Sequence, residues 1–80
     1  LVLDETYRDF LPAGTNRPHG VLKRADWRGH VVQLYSFSKS YAVPGWRVGA
    51  LVAAQDFLTE AEKIADCIQI CPTRAGQSAL

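Results

Sequence analysis

Eighty residues make at most one small domain, because a chain of this length buries only about 60% of its unfolded surface. Composition is that of a globular protein, 48% hydrophobic and 21% charged, and the net charge is +1 with nine Lys and Arg against eight Asp and Glu. With no basic or acidic block, roles on nucleic acid or a membrane surface lack electrostatic support, and no apolar run approaches the roughly 18 residues of a transmembrane helix.

In chain order, LVLD (1–4) is a continuous apolar run, the pattern of a strand buried on both faces. Residues 5–20 read as loop, broken by Pro12, Gly14, Asn16, Pro18 and Gly20. One or two helical turns are expected within 21–29. HVVQLYSF (30–37) is β-branched and aromatic, a second strand. After Pro44 and Gly45, WRVGALVAA (46–54) reads as a third strand, with Gly49 marking a close approach or bulge.

Residues 56–70 carry the best helical period. Leu58, Ala61, Ala65 and Ile68 share one face as core, and Asp56 is the expected cap. Pro72 ends this helix and Thr73 is positioned to cap another. The chain opens within a strand pattern and stops as a helix begins, so it is expected to be a piece of a longer protein. Cys67 and Cys71 have no histidine near them; two semi-buried thiols in a reduced compartment are the expectation. With no signal-peptide pattern in the opening residues, that compartment is expected to be cytoplasmic.

Connection lengths constrain the topology. About 25 residues separate the first two strands, enough for a crossover between parallel neighbours. About nine residues with Pro-Gly inside join the second and third, too few for a helical crossover, so that pair is antiparallel. The fold class is therefore α/β, a partial mixed open sheet of two parallel strands plus one antiparallel strand with flanking helices. Asp4 and Tyr7 then follow the C-terminal end of the first strand. Ser36, Ser38 and Lys39 end the second, and Arg47 begins the third at the same edge, where open α/β sheets bind ligands.

The residue types converge on one kind of ligand. Arg47 and the serine hydroxyls suit a phosphate. Asp4 suits a protonated ring nitrogen. Lys39 suits a carbonyl, with which a desolvated lysine forms a Schiff base. An aldehyde, a basic ring nitrogen and a phosphate on one small molecule describe pyridoxal 5′-phosphate.

Residues 36–49, SFSKSYAVPGWRVG, resemble the pyridoxal-phosphate attachment pattern of the class I and II aminotransferases. Ser36, Phe37, Ser38, Lys39, Ala42, Val43, Gly45, Arg47, Val48 and Gly49 fit its constrained positions, and DETY at 4–7 resembles that family's strand-end motif. The resemblance implies that residues 1–80 are an internal fragment of the cofactor-binding large domain of a fold type I enzyme. It implies a cofactor site of Asp4 at the pyridinium nitrogen, Tyr7 at the ring's phenolic oxygen, and Ser36 and Arg47 at the phosphate. For Ser38 the resemblance leaves open whether its hydroxyl would serve the phosphate or the backbone. By the same resemblance, Lys39 would hold the cofactor as a Schiff base and then shuttle the proton. The implied partners are an amino acid and a 2-oxo acid, with a homodimer as the working state of the full-length protein.

Three other readings stay open. The chain is a non-catalytic remnant of such an enzyme, inactive alone for want of the family's remaining site residues and small domain; or it belongs to a fold type I lyase. More distantly, Tyr35 and Lys39 match the Tyr-x-x-x-Lys pair of short-chain dehydrogenases, which requires both on one helix face. His19 and His30 have no partner at ligand spacing and are expected to be loop and strand-edge residues, with Trp27 and Trp46 as packing groups.

Overall fold

In the computed structural model, which describes residues 1–80, β1 (Val2–Asp4), β2 (Val32–Ser36) and β3 (Gly49–Val52) form one sheet in that order. β1 runs parallel to β2, with Val2 opposite Val32 and Asp4 opposite Leu34. β3 runs antiparallel to β2, with Gln33 opposite Val52 and Ser36 opposite Gly49. The parallel pair is the one that its long connection allows, and the antiparallel pair the one that its short connection requires. Partners across strands share a face. Asp4, Leu34 and Leu51 therefore form a row on one face, and Leu3, Gln33 and Val52 a row on the other.

The β1–β2 crossover contains two single 3₁₀ turns, Val21–Lys23 and Trp27–Gly29, as expected for 21–29. β2 passes directly into α1 (Phe37–Ser40), and a 3₁₀ turn at Pro44–Trp46 leads to β3. Then come α2 (Gln55–Ile68) and α3 (Arg74–Ser78). Thr73 caps α3 as expected: its Oγ1 accepts from Gly76 N–H at 3.2 Å, a bond worth about 1 kcal/mol. Gly49 is the expected close approach, since a Cβ there would stand 2.9 Å from the Tyr35 carbonyl oxygen.

Several expectations are corrected. β3 begins at Gly49 rather than at Trp46, because Pro44 opens a 3₁₀ turn and Arg47 is left-handed (φ 55°, ψ 47°), which no strand residue adopts. α2 begins at Gln55 with Ala54 as the capping position, so Asp56 lies inside the first turn. There its carboxylate favours the helix dipole and accepts from Phe57 N–H. β1 is not buried on both faces; Val2 is 65% exposed.

The α2 stripe is not core either. Leu58 and Ala61 are half-buried, Ala65 is exposed and Ile68 is 81% exposed, because no element of these 80 residues covers that face. Cys67 and Cys71, expected to be semi-buried, are exposed free thiols, Cys67 on the opposite side of α2 from the stripe and Cys71 beyond its end. The radius of gyration, 14.1 Å, exceeds the about 11.6 Å of a compact 80-residue domain. The molecule is a slab 16 Å thick, with Val31 its one buried apolar side chain beside the buried Glu5, Gln33 and Ser38.

Candidate functional site

The sequence from Ser36 to Gly49 folds largely by its own bonds. Ser36 is extended and caps α1, its Oγ accepting from Ser38 N–H at 3.3 Å. At the other end Val43 N–H donates to Ser38 O at 3.0 Å and Ala42 N–H to Lys39 O at 3.3 Å. This is the Schellman pair of bonds around a left-handed residue, here Ala42 with φ 53°. Phe37 N–H donates to Val48 O at 3.3 Å, tying α1 to the approach of β3. The Phe37 ring meets Tyr35 edge-on at 5.1 Å and Tyr41 at 5.9 Å.

This turn determines what each side chain offers. Lys39 is exposed, and its amine makes no hydrogen bond or ion pair within the chain. Ser36 accepts with its oxygen, which leaves its O–H free to donate. Ser38 is buried and contributes its backbone: N–H to Ser36, carbonyl to Val43. Arg47 is exposed and uses Nη1 on Pro44 O at 3.0 Å, leaving the other guanidinium donors for an anion.

Asp4 and Ser36 share a face, one row apart on neighbouring strands, about 8 Å between Cα atoms by ordinary sheet spacings. The Asp4 carboxylate accepts from Thr6 Oγ1 at 2.7 Å and from Thr6 N–H at 3.2 Å. Those bonds, the hydroxyl first and the backbone second, hold its pKa below the usual aspartate value against a weaker opposing effect of desolvation. The carboxylate is thus kept charged. Tyr7 is exposed, its ring edge-on to Phe10 at 6.0 Å. Asp4 and Tyr7 line one open cleft of about 530 Å³ with Glu5, Thr6, His19 and β1; Ser36, Ser38, Lys39 and Arg47 do not line it. The six residues gather along one sheet edge without enclosing a common cavity.

Two clusters went unnoticed in the sequence. Glu5, 6% exposed, accepts on Oε2 from Gln33 Nε2 and from Arg8 Nη1 at 3.2 Å. Its Oε1 lies 2.6 Å from His19 Nε2, and neither atom has a hydrogen-bond partner. His19 is a loop residue, as expected; its Nε2 packs against Glu5 just beyond β1, and its Nδ1 accepts from Val21 N–H. In the second cluster, Asp9 Oδ2 lies 2.5 Å from both Tyr35 OH and Ser40 Oγ. Tyr35 is a strand residue and Lys39 a helix residue, so the pair does not share a helix face as the dehydrogenase reading requires.

The whole chain, residues 1–80, matches the family described as aminotransferase class I and II. It is 36% identical over 77 residues to an aspartate aminotransferase of Sulfurisphaera tokodaii, covering 96% of this chain and 19% of that protein. It is 39% identical over 81 residues to the aromatic aminotransferase ISS1 of Arabidopsis thaliana, again 96% of this chain and 19% of the relative. A threonine-phosphate decarboxylase of Salmonella typhimurium is 39% identical over 56 residues, 70% of this chain and 14% of that protein. The chain thus spans about a fifth of the length of the curated relatives it matches. No solved structure matches it. No helix is long and apolar enough to cross a membrane.

Proposed function

The chain belongs to the aminotransferase class I and II family, and from that premise we propose that it is the cofactor-bearing part of the large domain of a pyridoxal-phosphate-dependent aminotransferase. The full-length protein would exchange an amino group between an amino acid and a 2-oxo acid, as a cytoplasmic homodimer; the 80 residues alone would not. The observation that carries the reading is the Ser36–Arg47 turn. It presents an exposed lysine with no internal partner between a free serine O–H and a guanidinium with donors to spare.

The donor set fits the cofactor. When bound, pyridoxal phosphate supplies an aldehyde and a ring that takes up electron density from the substrate's α-carbon. Lys39 Nζ would supply the amine that holds the aldehyde carbon and a base able to move a proton at the substrate's α-carbon. Asp4, kept ionised by Thr6, would keep a ring nitrogen protonated. Tyr7 OH would be a donor to the ring's oxygen. Ser36 O–H and the free Arg47 N–H groups would bind the phosphate, and Ser38 would support them through its backbone.

The test is borohydride reduction of the full-length protein in pyridoxal phosphate, with peptide mapping and a transamination assay. Label on Lys39 alone is expected. Lys39→Ala removes it and lowers turnover by about 10²–10⁴-fold, the range of a lost proton-transfer group. Label spread equally over Lys23, Lys39 and Lys63 would sink the reading. The likeness to a threonine-phosphate decarboxylase favours a lyase of the same cofactor as the second reading, distinguished by carbon dioxide release without amino transfer.

A further inference from the structure

Asp9 lies at the end of the Thr6–Asp9 turn, two residues beyond Tyr7 and five beyond Asp4. Its Oδ2 accepts from Tyr35 OH at 2.5 Å and from Ser40 Oγ at 2.5 Å, across 26 and 31 residues of sequence. The two hydroxyl oxygens are 3.0 Å apart. With the carboxylate ionised, three oxygens share two protons, so the triangle holds two hydrogen bonds at a time. Ser40 is the neighbour of Lys39 in α1. No other hydrogen bond joins residues 5–10 to α1. The loop that carries Tyr7 is therefore tied to the helix that carries Lys39 through one carboxylate oxygen.

We infer that Asp9 is a positioning residue, which sets the Lys39 turn against the Asp4–Tyr7 loop by accepting from Ser40 and Tyr35. The inference rests on the cofactor reading above. Its Oδ2 receives the hydroxyl beside Lys39, while the other carboxylate oxygen, Oδ1, lies 3.9 Å from Arg8 Nε. Both bonds end on the same oxygen, so an amide carbonyl in its place can accept both. An aspartate acting through its charge has no such substitute. That difference separates positioning by hydrogen bonds from an electrostatic effect on the lysine.

The experiment compares the full-length protein with its Asp9→Ala and Asp9→Asn variants. One readout is the rate of borohydride-trapped labelling of Lys39 by pyridoxal phosphate. The other, in the cofactor-free protein, is hydrogen exchange at the Ala42 and Val43 amides, whose bonds to Lys39 O and Ser38 O report the integrity of α1. Expected for Asp9→Ala are labelling about tenfold slower, the scale of one lost hydrogen bond to a charged group, and faster exchange at both amides. Asp9→Asn restores both to near the unsubstituted values. Unchanged labelling and exchange in Asp9→Ala overturn the inference and leave the cofactor reading standing. An Asp9→Asn protein as impaired as Asp9→Ala overturns it too. If Lys39 of the unsubstituted protein takes no label, the cofactor reading fails and this inference with it.

Discussion

The Ser36–Gly49 turn and helix α2 differ in where their stability comes from. Within the turn, a serine cap, a left-handed C-terminus, an aromatic ladder and a bond to Val48 close over fourteen residues. α2 has as many residues and a clean apolar stripe, yet no side chain of it is buried. Its face of Leu58, Ala61, Ile64, Ala65 and Ile68, continued by Leu51, borders an open groove. Local bonds suffice to shape the lysine-bearing turn. An amphipathic helix needs a partner layer, and these residues hold none.

The largest effect that would break this contrast is at Gly49. A Cβ there meets the Tyr35 carbonyl at 2.9 Å, and a backbone atom has little freedom to move aside. Gly49→Ala is expected to cost about 1–3 kcal/mol, read from urea denaturation of the full-length protein. A loss below about 0.5 kcal/mol would show that β2 and β3 do not hold the turn.

At Ala42 the sign reverses. A non-glycine residue in the left-handed region carries about 1 kcal/mol of strain, so Ala42→Gly, after the greater freedom of the unfolded glycine chain is set against that relief, is expected to raise stability by a few tenths of a kcal/mol. A lowered midpoint would mean that the methyl group contributes packing that the backbone strain does not outweigh.

The Asp9 clasp should respond more weakly, since Asp9 is exposed. Its pKa is lowered by the bond from Ser40, then by that from Tyr35, with Arg8 assisting. That contribution is present above the unfolded aspartate pKa of about 3.9 and is lost as pH falls through the lower folded value. Tyr35 is raised by its bond to Asp9, partly offset by Ser40 and added to by the charge of Asp9 and by Tyr41. Its share is intact below about pH 10 and lost as pH rises through the higher folded value. Protection of the Ala42 and Val43 amides, taken as exchange relative to the pH-dependent rate of an open amide, should fall at both extremes and stay flat between.

The smallest effect is at Ile68, 81% exposed. In residues 1–80 alone, Ile68→Ser should reduce binding of an apolar fluorescent dye without changing exchange in the Ser38–Val43 turn. Faster exchange there would show that the two regions are coupled.

How much was legible in the sequence follows the same division. Strand directions came from loop lengths, which need only chain geometry. The residues of the sheet edge came from type and order. The helical state of Phe37–Ser40 was missed because four residues carry no period; Ser36 followed by Ser38-Lys39 as a cap was the available signal. Asp9–Ser40 and Glu5–His19 were missed because side-chain contacts across 31 and 14 residues leave no pattern in a single chain. The exposure of α2 was missed because periodicity says which face wants covering, not whether anything covers it.

The left-handed backbone at Ala42 has a stereochemical consequence. Its φ of 53° is the mirror image of an ordinary right-handed value, so inverting that one α-carbon moves the methyl group into its favoured basin. An 80-residue chain is within reach of chemical synthesis. A D-alanine at this site would keep the side chain and relieve the strain, where glycine relieves the strain and loosens the unfolded chain as well. The enantiomer therefore separates two contributions that no encoded amino acid can.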